Sequence, residues 1–295
     1  MRWRIAISAL IGLASGLFCW FLMKHFHQGA ADFSWALRLA HRMFTHENPY
    51  DTPLEQYPLT AAFFALPFLR LQPEIAAGCF WGLSSFLLAL GLTRHGYSRL
   101  LVFLAYPYWA GILTVQWSVL ITASAFFPLL LPATMTKPQV GLPVFISRLS
   151  RRGFIACTSL AVLSLIVMPK WPSFWIHQFG NYQHFFPLLV LPGPLLLLAL
   201  FRYRERDSWL LLLSAAMPQR WFFDSFILWL IPRSRRQISW TVFFSWGAGI
   251  WRWYQLHFNY TQVGRWTVLC IYLPMLVVLL LRDSPEEDAA SHHDY

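Results

Sequence analysis

Long apolar stretches, separated by short polar connections, are the feature that most limits how this chain can fold. The first of them, residues 5–23, contains no charged side chain. Hydrophobic residues make up 57% of the chain and charged residues 12%, whereas soluble domains average about 25% charged residues. Because lipid cannot hydrogen-bond free backbone groups, such stretches cross a membrane as helices. The sequence therefore predicts an all-α, polytopic integral membrane protein.

The number and direction of the membrane spans follow from length and from basic residues. About 20 apolar residues cross the hydrocarbon layer as a helix, so the apolar length predicts about 10–12 transmembrane helices. The spans that fit are 4–23, 57–71, 74–92, 99–114, 117–132, 134–147, 153–169, 185–201, 208–218, 221–232, 238–254 and 265–281. Arginine-rich connections remain in the cytoplasm, which places both chain ends inside. Arg94 and Arg99 then fall outside, against that rule.

Residues 1–282 read as one polytopic domain, followed by an acidic cytoplasmic tail at 283–295 that is predicted to be disordered. Residues 24–56 form the first and longest outer loop. A second outer segment, 169–185, is rich in aromatic residues of the kind found at membrane interfaces, including Trp171 and Tyr182.

An amphipathic helix is predicted inside the first outer loop. Phe33, Leu37, Ala40 and Phe44 recur at helical spacing, so the helix should lie along the membrane interface. Asn48-Pro49 ends it, because a residue before proline is pushed out of helical geometry.

The net charge of +10 is explained by the arginines of the membrane connections, so it requires no nucleic-acid partner. The four cysteines lie in apolar segments without metal-ligand spacing. We therefore expect no metal site and no bound cofactor.

The first outer loop concentrates the scarce acidic residues. The chain has 13 of them, and four lie here: Asp32, Glu47, Asp51 and Glu55. Asp32 stands just before the amphipathic helix, where it is either a helix N-cap or a general base at the membrane surface. Asn48-Pro49-Tyr50-Asp51 is a turn signal, and Tyr57-Pro58 is typical of the start of a membrane helix.

Taken in order, these motifs resemble a known family. Asp32-Phe33, Ala36–Arg38–Ala40, Asn48-Pro49-Tyr50-Asp51, Tyr57-Pro58 and Leu66-Pro67 resemble the first outer loop of GT-C glycosyltransferases, in particular glycosyltransferase family 87. Further motifs are similar to that family's Gly-Gln, Lys-Pro and Tyr-Asp pairs: Val115-Gln116, Lys137-Pro138-Gln139 and Phe223-Asp224. Val115 stands where the family has glycine, and Phe223 where it has tyrosine.

The resemblance implies a GT-C fold and an activity. A hexose, in this family mannose, would move from a polyprenyl-phosphate donor to a lipid or glycan acceptor at the outer face of a bacterial inner membrane. Asp32 would be the catalytic base. The remaining matched positions would bind substrate: Asn48, Tyr50, Asp51, Tyr57, Gln116, Lys137, Gln139 and Asp224.

Two of these residues also stand out without the resemblance. Lys137 is a lone lysine in an apolar segment, and such residues either face a cavity or partner or extend to the interface from a helix end. Asp224 is the one acidic residue in a predicted late span, where it either serves the site or forms a structural ion pair with Arg220.

Two other classes of function remain open at this stage. Proline-broken helices and an intramembrane lysine also suit a transporter or lipid flippase, although no internal repeat is visible. The short chain and the substituted motifs also suit a non-catalytic membrane scaffold. A cavity lined by Asp32 would favour the transferase over the scaffold.

Overall fold

The computed structural model describes residues 2–51, 57–178, 183–255, 257 and 259–282. These residues form helices joined by turns and contain no strand, only an isolated antiparallel bridge between Phe185 and Gln219. The all-α prediction is therefore confirmed for this part of the chain. Glu55, Tyr182 and the predicted tail 283–295 lie outside the described residues.

Thirteen α-helices occur in the described part of the chain, several of them short. They are α1 Arg2–His25, α2 Phe33–Phe44, α3 Thr60–Ala65, α4 Pro73–Leu92, α5 Tyr106–Ile112, α6 Ser118–Ser124, α7 Pro138–Arg148, α8 Arg151–Val167, α9 Trp171–His177, α10 Arg206–Ala216, α11 Arg235–Tyr254, α12 Tyr260–Thr267 and α13 Leu273–Leu280. The 3₁₀ helices are Leu66–Phe68, Thr93–His95, Tyr97–Leu104, Pro128–Met135, Gly193–Arg202 and Phe222–Leu230. A π-helical turn, Val268–Tyr272, joins α12 to α13.

Three described helices are long and apolar enough to cross a membrane: Arg2–His25, Pro73–His95 and Tyr260–Leu280. The third runs continuously through the π turn. Helices α8 and α9 would make a fourth span if counted together, but they meet at a bend of 91°. The structure thus supports a helical protein with membrane-spanning character, and the larger number of 10–12 spans stays a prediction.

The predicted span 57–71 contains an α-helix that is too short to cross a membrane by itself. Its α-helix, α3, has six residues, which cover about 9 Å. The 3₁₀ helix Leu66–Phe68 follows directly because Pro67 lacks an amide hydrogen and cannot continue the α-helical hydrogen bonds. The next long helix, α4, then runs back along α1.

Helices α1 and α4 run antiparallel and pack closely. The guanidinium of Arg4, at the start of α1, donates to the carbonyl of Leu90 near the end of α4, at 3.4 Å. A Cβ atom on Gly78 would lie 2.8 Å from the carbonyl oxygen of Gly16, so glycine permits the close crossing.

This pairing puts Arg94 and Arg99 at the same end of the molecule as Arg4, whereas the predicted topology put them on the opposite side. Both follow α4 directly, and Arg4, Arg94, Arg99 and Arg148 all lie close enough to His95 to act on its charge. We call Arg4, Arg94, Arg99, Arg148, Arg233 and Arg282 the basic end of the molecule. Sequence reasoning separated Arg94 and Arg99 from Arg4 because it counted 57–71 as a full span, whereas its α-helix has six residues.

The predicted amphipathic helix is present as α2. It buries Phe33, Ala36, Leu39 and Ala40, whereas Phe44, predicted on the apolar face, is 63% exposed. The Phe33 ring stacks on Phe80 of α4 with ring centroids 4.2 Å apart. This packing holds the start of α2 against α4.

Three elements join the basic end to the opposite end of the molecule. Helix α7 runs from Lys137 at its N-cap to Arg148, and α10 begins at Arg206–Asp207 and leads towards Arg220. The 3₁₀ helix Phe222–Leu230 carries Asp224 near its start and leads to Arg233. Lys137, Arg220 and Asp224 are thereby brought to one end.

Candidate active site

Asp32 stands at the N-cap position of α2, but its side chain makes no capping hydrogen bond. Its backbone amide instead donates to the carbonyl oxygen of Thr114, at 3.1 Å. The preceding residues Gly29 and Ala31 have φ values of 60° and 45°, a left-handed geometry that reverses the chain after α1. The carboxylate is therefore released from the N-cap role that its position suggests.

The carboxylate of Asp32 accepts a hydrogen bond from the side-chain amide of Gln116. Gln116 is fully buried and lies in the turn after α5, where its own backbone amide donates to the carbonyl of Gly111 at 3.1 Å. Val115 adopts φ 51° in this turn. A β-branched residue with positive φ is an outlier, so the backbone that presents Gln116 is strained at the position where glycine would be relaxed.

Lys137 lies between the 3₁₀ helix Pro128–Met135 and α7. It is 5% exposed, and its Nζ donates to Gln116 Oε1 at 3.0 Å and to Asp224 Oδ1 at 2.5 Å. The same Nζ sits 4.9 Å from the centroid of the Phe223 ring. A Cβ on Gly141 would lie 1.9 Å from the Thr134 carbonyl oxygen, so glycine allows α7 to pack tightly on the preceding helix.

Asp224 is fully buried and pairs with Lys137, not with the Arg220 guanidinium considered from sequence. Its second carboxylate oxygen accepts the backbone amide of Arg220, at 2.9 Å. This bond ties the turn before the 3₁₀ helix to the buried pair. The bond fixes the backbone position from which the Arg220 side chain extends.

The four side chains form one chain of hydrogen bonds with a defined direction. An ammonium group only donates, so the amide oxygen of Gln116 must face Lys137 and its NH₂ group must face Asp32. An ionised carboxylate only accepts, which satisfies the NH₂ group. Asp224 in turn balances the charge of Lys137. The network holds Asp32 in one orientation while leaving part of its carboxylate accessible.

Two cavities meet at Asp32 and Arg220, which line both. The smaller, about 30 Å³, is also lined by Tyr57, Thr136, Lys137 and Gln139. The larger, about 730 Å³, has aromatic side chains for half of its lining residues: Tyr106, Trp109, Trp221, Phe223, Trp246, Trp253 and Tyr260. It contains one further cation, Arg252, whose guanidinium lies 5.8 Å from the Trp221 ring centroid.

The predicted site residues divide into two groups. Asp32, Tyr57, Gln116, Lys137, Gln139 and Asp224 come together, as cavity walls or as the buried network behind them.

Asn48, Tyr50 and Asp51 do not line either cavity in the described structure. Asn48 donates to Asp51 at 2.5 Å and accepts from the Tyr50 amide at 3.1 Å, as in a turn. The Tyr50 hydroxyl donates to the carbonyl of Tyr57 at 3.1 Å. These contacts hold the turn 48–51 against Tyr57, and the predicted contact of the three residues with substrate stays a prediction.

The aromatic segment of the second outer region also lies elsewhere. Trp171 and Trp175 line a third cavity of about 360 Å³, which shares only Pro58 with the smaller cavity among their described walls.

Sequence reasoning missed Arg220 and Arg252 as members of the site. Arg220 was considered only as an ion-pair partner of Asp224. Both arginines stand next to tryptophan in segments otherwise apolar, and intramembrane cations usually face a cavity or a partner. That signal identifies the residues but not the cavity they share.

Comparison of the chain with protein-family models, with curated proteins and with solved structures finds no significant match. The described residues contain no group of three or more His, Cys, Asp or Glu side chains arranged to hold a metal ion. What the site offers is one accessible carboxylate beside guanidinium groups at the end of an aromatic cavity. Such a set can accept a proton and bind an anionic group on an apolar substrate.

Proposed function

We propose that this protein is a membrane glycosyltransferase of the GT-C type, similar to family 87. It moves a hexose, mannose in that family, from a polyprenyl-phosphate donor to a lipid or glycan acceptor. The observation that carries the proposal is that Asp32 and Arg220 line both cavities. A carboxylate and a guanidinium are the two groups that a base and a leaving phosphate require.

The larger cavity suits the donor. Its aromatic walls match an isoprenoid chain, and Arg220 and Arg252 supply positive charge for the phosphate. Lys137 is less suited to this role than the resemblance implies, because Asp224 already balances its charge.

The reaction is a single displacement with inversion. A hydroxyl oxygen of the acceptor attacks the anomeric carbon and passes its proton to the carboxylate of Asp32. The bond between that carbon and the phosphate oxygen breaks, and polyprenyl phosphate leaves with its new negative charge beside Arg220. Gln116 holds Asp32 in place, and Lys137 acts on Asp32 through its hydrogen bond to Gln116.

The orientation in the membrane is part of the proposal. The basic end would face the cytoplasm of a bacterial cell, which directs the opposite end, with Asp32, towards the periplasm. The GT-C topology with its 10–12 spans belongs to the same proposal.

The test uses the full chain reconstituted in vesicles with polyprenyl-phosphate mannose and a membrane lipid and glycan extract as acceptor source. Release of polyprenyl phosphate is measured. Asp32→Asn and Asp32→Ala should lower turnover at least about 100-fold, the usual loss when a general base is removed. Glu47→Gln is the matched control, because Glu47 lies in the same loop, is 64% exposed and lines neither cavity in the described structure.

Full turnover by both Asp32 variants would contradict the role of Asp32. Movement of the intact donor across the vesicle membrane, with no release of polyprenyl phosphate by the wild type, would contradict the transferase and favour a flippase.

A further inference from the structure

Among the residues that the structure describes, the basic end holds more arginines than carboxylates. Asp207 is 2% exposed and accepts hydrogen bonds from three arginines: Arg148 at 2.7 Å, Arg233 at 3.0 Å and Arg282 at 2.8 Å. Glu205 accepts from Arg282 at 2.8 Å and from Arg202 at 3.4 Å. Within the described ranges, these two carboxylates therefore contact four arginines.

Arg99 adds a fifth guanidinium to this cluster. Within the described parts of the chain its side chain makes no hydrogen bond or ion pair, and its Nε is buried without a partner. The Nε of Arg282 is buried and unpaired as well. The groups that act on the charge of Arg99 are three arginines, Arg148, Arg233 and Arg282, and one carboxylate, Asp207. A partly buried cation among like charges is costly unless an anion accompanies it.

The location of the cluster indicates which anion. Arg4 and Arg282 lie at the ends of two helices that are long enough to span a membrane, and Arg99 lies four residues beyond a third. Large apolar side chains close by in sequence are exposed: Leu104 is 51% and Leu281 77% exposed. Cations with apolar surface beside them, at the level where spanning helices end, match a lipid headgroup and its acyl chains.

We propose that Arg99 and Arg233, together with Arg148 and Arg282, bind the phosphate of an anionic membrane phospholipid in the leaflet opposite the candidate active site. Guanidinium groups bind phosphate oxygens through paired, charge-assisted hydrogen bonds. The bound phosphate supplies negative charge to a cluster in which the described arginines outnumber the described carboxylates. The proposal does not depend on transferase activity.

Lipid binding at this position stabilises the elements that reach the candidate site. Arg148 ends α7, and Arg233 follows the 3₁₀ helix that carries Asp224. Neutralising the cluster relieves the repulsion between these elements, so the Tm of the protein rises when the lipid is bound.

The experiment measures thermal unfolding of the full chain in nanodiscs of phosphatidylcholine, with or without phosphatidylglycerol. Phosphatidylglycerol should raise the Tm of the wild type and leave that of Arg99→Gln unchanged. In phosphatidylcholine alone, Arg99→Gln should be at least as stable as the wild type, because the substitution removes an unpaired cation. Arg235→Gln is the control: Arg235 is exposed at the start of α11, and its loss changes the net charge equally.

Retention of phosphatidylglycerol by purified protein, measured by native mass spectrometry, provides a second readout. We expect about tenfold weaker retention by Arg99→Gln than by the wild type or Arg235→Gln. Equal retention or an equal rise in Tm in Arg99→Gln overturns the proposal, as does an equal loss in Arg235→Gln. Inorganic phosphate should have no effect in phosphatidylcholine; if it stabilises the wild type as phosphatidylglycerol does, the ligand is a soluble phosphate and the lipid assignment fails.

Discussion

At the scale of single residues, the most informative contact is the buried pair of Lys137 and Asp224. Both charges are removed from water, and each depends on the other for compensation. The free-energy cost of burying the two charges is offset by further hydrogen bonds. Lys137 donates to Gln116, and Asp224 accepts the backbone amide of Arg220. The pair links α7 to the 3₁₀ helix Phe222–Leu230 and, through Gln116, fixes the direction of the Asp32 carboxylate.

Lys137→Met should lower the free energy of unfolding by about 3–5 kcal/mol, because it leaves the Asp224 charge buried and unpaired. Adding Asp224→Asn should restore much of the loss, since the isolated charge is removed and an acceptor for the Arg220 amide remains. Unfolding followed by tryptophan fluorescence in detergent measures both effects. Lys170→Met, at an exposed lysine, should change stability by no more than about 0.5 kcal/mol. A single Lys137 variant as stable as the wild type would refute this account.

At the scale of elements, the crossing of α1 and α4 supports the framework on which the candidate site is built. Gly12 and Gly16 of α1 face Gly78 and Gly82 of α4, so the two backbones approach without side chains between them. In lipid, helix association depends on such close packing. The lipid tails are as apolar as the helix side chains, so the hydrophobic effect does not drive two helices together. The crossing also places Phe80 of α4 under Phe33, next to Asp32.

Gly82→Val tests this crossing. A Cβ at Gly82 would lie 2.9 Å from the Gly12 carbonyl oxygen and 3.1 Å from the Gly16 Cα, and backbone atoms cannot move aside as a flexible side chain can. We expect a loss of about 1–3 kcal/mol, measured as a lower Tm in the same detergent. Ala14→Val, at an exposed position of α1, serves as the control and should leave Tm unchanged. An equal effect of the two substitutions would mean that the crossing contributes little.

At the scale of the whole molecule, two charged regions lie at opposite ends and are joined by α7, α10 and the 3₁₀ helix Phe222–Leu230. The candidate site balances its buried charges nearly one to one. At the basic end, four arginines from distant parts of the chain lie close to Asp207: Arg99, Arg148, Arg233 and Arg282. Burial acts to raise the pKa of Asp207, but Arg148, Arg282 and Arg233 outweigh it and hold that pKa below its ordinary value.

This lowered pKa predicts a pH dependence of stability. A carboxyl whose folded pKa lies below its unfolded value of 3.8 stabilises the protein fully above that value, and the contribution is lost as pH falls through the folded pKa. Asp207→Asn should lower the free energy of unfolding by about 3 kcal/mol or more at pH 7. On acidification below about pH 4, the variant should lose less stability than the wild type does. Tm measured against pH for wild type, Asp207→Asn and the control Glu47→Gln tests both points; parallel profiles for wild type and Asp207→Asn would contradict them.

Much of the candidate site follows from sequence, but not its contacts. Asp32 stands at the start of α2 as predicted, because the helical spacing of apolar residues is a local signal. Its bond to Gln116 joins residues far apart in the sequence, and no local pattern records which distant side chain occupies that space. The same holds for Asp224: in the described structure it accepts the backbone amide of its sequence neighbour Arg220, whereas its ion-pair partner is the distant Lys137.

By itself, the sequence determined that this chain forms apolar helices, that α2 begins after Asp32, and which scarce polar residues stand in apolar surroundings. These are properties of composition and short-range periodicity. Only the tertiary structure decided that 57–71 holds a short helix and not a full span, that Arg94 and Arg99 join the basic end, and that Asp32 and Arg220 face shared cavities. Each depends on which helices pack together, and packing is set by close approaches such as Gly78 on Gly16, between residues far apart in the chain.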